Sequence, residues 1–374
     1  MQEQLLGGLQ AAEFLDQYWQ KKPLLVRQAL PGFTGLLDRD AVLRLAQRED
    51  VESRLVAGAG TDWEMERGPL AKSLLRRARS TPWTVLVQGL NLILPQADAL
   101  MRRFAFIPYA RLDDVMVSYA TPGGGVGPHF DSYDVFLIQG MGRRRWQISD
   151  DEDLTLIDGL PLRILSNFQP RQEWVLEPGD MLYLPPRYAH NGIAEGECMT
   201  YSIGFRAPSA QELGRAFLDY LHERLQIPGA YADPGLRQQD SPAEIADAMV
   251  DQVSGMVNAI RWQSADIEQF LGCYLTEPKP QVFFDPPRRP MSGPRFAAAA
   301  RQGVQLDARS QLLWRAGRLY MNGESHFPAA GDIAWFIALA DLRRSAGPPD
   351  SFSPAAQALL YEWYCAGYLH PETP

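Results

Sequence analysis

The chain has 374 residues, 46% hydrophobic and 22% charged, with a formal net charge of −9. That length predicts two or three domains, with enough apolar material for a sizeable core and no need of a disulfide scaffold. The acidic balance argues against a general affinity for nucleic acid, which rests on phosphate neutralisation by Lys and Arg. Cys198, Cys273 and Cys365 are far apart and form no Cys-x-x-Cys pair, which fits a reducing compartment. No stretch is long and apolar enough to span a bilayer, and the start lacks the basic-then-apolar pattern of an export signal. A cytoplasmic protein with no membrane association is expected.

The predicted elements change character twice along the chain. Phe14, Leu15, Tyr18 and Trp19 fall at helical spacing, and residues 23–26 then read as extended. A second short amphipathic helix is expected over 38–46, with Asp38 or Asp40 as its cap. From Ser53 to Arg206 short apolar runs are broken by Gly, Pro and Asp. Strands are predicted at 84–88, 114–119, 134–138, 145–148, 173–176, 181–184 and 199–205. Many short strands with turn signals between them, such as Pro178-Gly179-Asp180, predict a β-sandwich or barrel. After Pro208 the chain turns helical, over 210–225, 242–260 and 267–275. The proline-rich stretch 278–294 reads as a linker. The remainder mixes strands, such as 319–321, with helices at 333–342 and 354–366, and predicts a small α+β module.

The chemistry is concentrated in the β-rich segment. His129 and Asp131 form a His-x-Asp pair, and His190 follows 61 residues after His129. On a strand, positions i and i+2 point the same way, so His129 and Asp131 would face one pocket. The chain has five histidines, and the other three, His222, His326 and His370, lie outside the β-rich segment. Two histidines and one carboxylate are the ligand set that grips one face of Fe(II) and leaves the other positions open. The bland alternative is a local hydrogen-bonded pair plus a surface histidine, and a lone His-x-Asp carries little weight. The distal histidine at the end of a strand favours the metal.

Arg144 lies 15 residues after His129, on what should be the next strand. A 2-oxoglutarate co-substrate chelates iron through its keto acid end and carries a second carboxylate that a guanidinium neutralises with two parallel bonds. Arg143 and Arg145 would point to the opposite face. Ser118 and Ser202, on flanking strands, are candidates for hydroxyl contacts to the co-substrate. Gly123–Gly127 resembles a phosphate loop only superficially, since it lacks the following Lys-Ser/Thr, and reads as a turn carrying the chain to the metal.

On these motifs the sequence resembles the JmjC-type 2-oxoglutarate oxygenases of the cupin group and, more narrowly, the bacterial ribosomal oxygenases. The resemblance is carried by Tyr18–Val26, Leu86–Asn91, Gly123–Asp131, Tyr133–Gly140, Gly142–Trp146 and Leu182–His190. It implies an α+β chain: a double-stranded β-helix (jelly-roll) catalytic domain over 1–207, a helical dimerisation region over 208–277, and a winged-helix-like domain over 278–374. It implies Fe(II) on His129, Asp131 and His190, with the 2-oxoglutarate carboxylate on Arg144, where many relatives carry Lys. The implied reaction hydroxylates the β-carbon of an arginine in the sixteenth large-subunit ribosomal protein, and the implied assembly is a homodimer. A target arginine would need acidic or aromatic partners at the mouth, for which Asp113, Asp114, Tyr133 and Asp134 are candidates.

Other readings of the same residues are a JmjC oxygenase or demethylase acting on another substrate, a non-catalytic metal-sensing regulator with a DNA-binding winged helix, and a cupin-type isomerase. Helix 333–342 is apolar and ends in only Arg343-Arg344, whereas recognition helices present a basic face. Direct nucleic-acid binding is therefore not expected. Arg144 speaks against the isomerase.

Overall fold

The computed structural model describes residues 2–60, 62–77 and 81–372. The chain divides into two compact units, 1–207 and 208–374. Five helices belong to the first unit: α1 (Gln2–Leu5), α2 (Ala11–Gln17), α3 (Arg39–Leu45), α4 (Lys72–Arg77) and α5 (Pro95–Arg102). Its strands are β1 (Leu24–Val26), β2 (Ser53–Ala59), β3 (Asp62–Arg67), β4 (Trp83–Val87), β5 (Leu112–Ala120), β6 (Val135–Ser149), β7 (Gln172–Leu176), β8 (Met181–Leu184) and β9 (Ala189–Phe205). They form one nine-stranded sheet in the order β1-β8-β6-β9-β5-β4-β2-β3, with β7 beside β6.

The period-2 pattern of the strands sorts their side chains into two cores. Phe136 and Ile138 of β6, with Met181 and Tyr183 of β8, join Phe14, Phe104 and the helices in the larger core. Their alternates Val135, Leu137, Leu182 and Leu184 join Trp146, Ile148 and Leu176 on the other face. The strand-crossing order and the buried inner face match the jelly-roll expectation.

Several local expectations are met with shifted bounds. Asp38 caps α3, its side chain accepting from the Ala41 amide at 2.7 Å. The strands expected separately at 134–138 and 145–148 are instead one long strand, β6. The intervening Gly140-Met141-Gly142 is absorbed as irregularities in register against β9 around Gln139, Met141 and Arg143, as bulges allow. Likewise β9 begins ten residues before the expected 199 and carries His190 within it. The hairpin β2–β3 was not expected. Three acids in β3, Asp62, Glu64 and Glu66, leave only Trp63 and Met65 as its apolar face, and tertiary pairing overrides that weak local signal.

Asp134 is not at a pocket mouth, as its charge suggested; it is fully buried. Its carboxylate accepts from the Tyr183 hydroxyl at 2.7 Å and the Gln20 amide at 2.9 Å, with Arg111 at 3.4 Å. Tyr183 in turn accepts from the Gln20 backbone at 2.8 Å. Burial and the Asp134 carboxylate push the Tyr183 phenol up, so it stays a donor. The network ties the segment leading into β1 to the β6–β8 pair.

The second unit holds α6 (Ala210–His222), α7 (Asp247–Val257), α8 (Ser264–Thr276), α9 (Gly293–Ala300), α10 (Ile333–Leu342) and α11 (Pro354–Cys365). Two three-stranded sheets accompany them. One is β14 (Arg344–Ser345), β10 (Val304–Leu306) and β15 (Leu369–Pro371); the other is β11 (Leu312–Arg315), β12 (Arg318–Met321) and β13 (Glu324–His326). Phe296, Leu339, Phe336, Leu360 and Trp363 centre their core. The stretch read as a linker carries no helix or strand up to 292, and α9 takes over its last two residues, with Pro294 in the first turn, where a missing N–H costs nothing. Helix α8 packs against β11, β12 and β13.

Asp134→Ala is expected to lower unfolding free energy by about 3 kcal/mol, because it strands the Tyr183 hydroxyl in the core and leaves the Gln20 and Arg111 donors without their shared acceptor. Urea denaturation followed by tryptophan fluorescence measures it. A loss under about 0.5 kcal/mol, the ordinary surface value, would show that the network is not a structural tie.

Candidate metal centre

The turn before β6 and the start of β9 meet through their backbones. The His129 amide donates to the His190 carbonyl at 2.9 Å, and the His190 amide donates to the His129 carbonyl at 2.7 Å. This antiparallel bridge sets the two imidazoles side by side, with ring centroids 4.2 Å apart. Asp131 is held by a third backbone bond, from the Arg187 amide to its carbonyl at 2.7 Å. One ligand-type atom from each of His129, Asp131 and His190 lies within 4.8 Å of the others.

The imidazoles are oriented for ligation. Nδ1 of His129 lies 2.9 Å from the Gly127 carbonyl, and Nδ1 of His190 lies 2.9 Å from the Tyr188 carbonyl. A carbonyl only accepts, so each Nδ1 carries the proton and each Nε2 presents its lone pair. Burial, helped by the neighbouring His129, pushes the His190 imidazole down to about 4 against the opposing pull of Asp131. His190 is therefore neutral at physiological pH, and its 3.7 Å approach to Asp131 is not an ion pair.

Gly127 has a φ of +75°, and a Cβ there would lie 2.9 Å from the Trp63 ring. Only glycine lets the chain turn there toward His129 while Trp63 and Ile164 close over it. The stretch 123–127 is thus not loose: Gly123 donates to the Ala194 carbonyl and Ala194 to the Gly124 carbonyl, both at 2.9 Å.

Arg144 is buried, whereas the side chains of Arg143 and Arg145 are 57% and 41% exposed and pair with Glu195, Arg145 also with Glu173. Nη1 of Arg144 donates to the Ser118 hydroxyl at 3.1 Å. Its Nε and Nη2 are buried with no partner. A buried guanidinium with two idle donors is costly unless an anion meets it. Two parallel N–H groups fit a carboxylate. Ser118 is thus brought to Arg144. Ser202 is buried on β9, opposite Met116 and Leu137. The two imidazoles, the carboxylate and the buried guanidinium together fit a ferrous ion with a dicarboxylate co-substrate.

At the rim, Tyr133 is partly exposed, with its hydroxyl turned toward Asp131 and Asp114. Asp113 pairs with Arg206 at 3.5 Å, and Asp114 accepts from the Gly89 amide at 3.0 Å. Of the four mouth candidates, Tyr133 is the most exposed, at 39%, although burial of its hydroxyl pushes the phenol up. Sequence reasoning gave no role to Trp146, although its place two residues beyond Arg144 was the available signal.

A JmjC domain model matches residues 99–213, which include every residue of this site, and a ROXA-like winged-helix model matches 259–370. The "Ribosomal protein uL16 3-hydroxylase" of Escherichia coli K12 is 35% identical over 336 residues, covering 87% of this chain and 89% of that protein. The chain belongs to the JmjC-type ribosomal oxygenases. A "Probable ribosomal oxygenase" of Haemophilus influenzae is 42% identical over 205 residues, covering 54% of this chain and 50% of that one. The ribosomal oxygenase YcfD of E. coli, solved with cobalt and 2-oxoglutarate, superposes with a TM-score of 0.82 at 31% identity, over 98% of this chain and 99% of that one. Another structure of YcfD gives a TM-score of 0.84. The expected family and fold class are therefore correct for this chain: a JmjC cupin domain followed by a winged helix.

His129→Ala removes one candidate ligand and is expected to weaken Fe(II) or Mn(II) binding by at least about tenfold, the scale of a lost ligand-shell partner, and to abolish 2-oxoglutarate turnover. Calorimetry with Mn(II) and succinate detection check the two parts. Wild-type metal affinity in the variant would refute the ligand set.

Proposed function

We propose that the chain is a 2-oxoglutarate- and Fe(II)-dependent oxygenase that hydroxylates the β-carbon of an arginine side chain in the ribosomal protein uL16. One observation carries the reading. His129, Asp131 and His190 converge within 4.8 Å, and Arg144 holds two idle donors in the same interior. The 3-hydroxylase relative names the substrate and the carbon.

His129, Asp131 and His190 hold the metal on one face. Arg144 takes the distal carboxylate of 2-oxoglutarate, with Ser118 and Ser202 adding hydroxyl contacts. When bound, the metal and co-substrate supply the oxidising chemistry, decarboxylation giving succinate. The protein's own part is orientation and exclusion of water: the Nδ1 carbonyl contacts fix the rings, and the buried inner face keeps the reacting carbon dry. Tyr133 offers the incoming arginine an aromatic surface at the rim.

The remainder of the chain serves a protein substrate. Residues 208–277 form a helical dimerisation region and 278–374 a winged-helix-like domain. Helix α7 buries none of its residues, and Met249, Val250, Val253 and Val257 are exposed along it. Such a stripe fits a second copy of the chain. The enzyme works in the cytoplasm, where ribosomal proteins are made; no helix among the described residues is long and apolar enough to cross a membrane.

The direct test incubates the chain with Fe(II), 2-oxoglutarate and uL16, and reads the protein by tandem mass spectrometry. One added oxygen on an arginine β-carbon is expected. Co-substrate turnover without that oxygen would remove uL16 as the substrate. In the same assay Arg144→Ala should raise the apparent KM for 2-oxoglutarate by about tenfold or more, the scale of a charge-assisted pair, with little change in metal affinity. Light scattering should give twice the chain mass, and a monomer at high concentration would refute the dimer.

A further inference from the structure

The register between β6 and β9 arranges the inner face in layers. Arg144 lies opposite Ala194, Trp146 opposite Gly192, and Ile148 opposite His190. Trp146 therefore occupies the level between the buried guanidinium and the metal-ligand histidine. Its ring lies 5.7 Å from the Arg144 guanidinium carbon and its centroid 5.9 Å from that of His190. A co-substrate that reaches from the metal to Arg144 must pass this level.

Two further observations concern Trp146 itself. A Cβ at Gly192 would lie 2.7 Å from the far edge of the indole. The glycine thus lets the ring approach β9 more closely than any side chain there would allow. The residue is 5% exposed, and its Nε1 is buried without a hydrogen-bond partner. A buried indole N–H ordinarily finds an acceptor. Arg144, one level away on the same strand, likewise has two donor nitrogens that no protein group meets.

We propose that Trp146 is a co-substrate-binding residue: its indole walls the carbon chain of a 2-oxo dicarboxylate, and its Nε1–H donates to an oxygen of that molecule. The assignment rests on the 2-oxoglutarate reading above. It adds a specificity device, because the ring sets how far apart the keto acid end and the distal carboxylate must be. A shorter or branched diacid meets the indole before it reaches both Arg144 and the metal.

The test measures 2-oxoglutarate binding by calorimetry to the full chain loaded with Mn(II), wild type against Trp146→Phe. Phenylalanine keeps an aromatic wall and removes the donor. Affinity is expected to fall about tenfold, the scale of a hydrogen bond to a charged group, while Mn(II) binding is unchanged. Trp146→Phe affinity within twofold of wild type overturns the proposal. Should the variant fail to fold, the wild-type chain with Zn(II) and ¹⁵N-labelled tryptophan gives the same answer. One of nine indole resonances should move downfield on adding 2-oxoglutarate, and no movement overturns the proposal. A wild-type chain that binds no 2-oxoglutarate defeats the underlying reading, and this assignment with it. Wild-type binding that Trp146→Phe leaves intact defeats only the assignment of Trp146.

Discussion

The site depends on a pair of backbone hydrogen bonds. His129 and His190 exchange amide and carbonyl at 2.9 and 2.7 Å, and this bridge joins segments 61 residues apart. Closing so long a loop is entropically expensive, so the bridge must be supported from both sides. On one side Gly127 turns under Trp63 and Ile164; on the other, His190 is the second residue of a strand, β9, with thirteen residue pairs to β6. The two imidazoles are thereby placed by the sheet, and the Gly127 and Tyr188 carbonyls only have to fix their tautomers. A ligand pair held by strand pairing is more exact in position than one carried on free loops.

Charge is distributed to match. The interior admits one guanidinium, Arg144, and leaves part of it unsatisfied. Its neighbours Arg143 and Arg145 pair with surface glutamates, where such contacts are worth little. The same three-arginine run thus contains two solvated charges and one costly buried one. A buried guanidinium whose donors the protein leaves unmet is a group that a bound anion would stabilise.

The rest of the first unit keeps this interior rigid. Buried Asp134 and Tyr183, with Gln20 and Arg111 reaching in from the surface, form a polar tie on the opposite side of β6 from Val135 and Leu137. Alternation along a single strand therefore assigns successive residues to anchoring and to the pocket. The second unit is organised differently: its core gathers around Phe336 and Trp363, and the amphipathic helices preceding it leave apolar side chains such as Val250 and Val257 uncovered.

Much of the function was legible in the sequence. His-x-Asp with one distal histidine, few histidines elsewhere, and an arginine run on the next strand sufficed to single out three side chains that converge and one arginine that is buried, because period-2 geometry and ligand chemistry are local properties. Helix caps such as Asp38 were legible for the same reason. The tertiary structure alone decided which acids stay at the surface: Asp134 resembled a rim residue and is buried, since its partners Gln20 and Tyr183 are remote in the chain. It also decided the union of two expected strands into β6, the acidic edge strand β3, and the position of Trp146 level with the gap between Arg144 and His190. Each of these is set by which strand lies beside which, and strand register is fixed by packing across the whole sheet, not by any short run of residues.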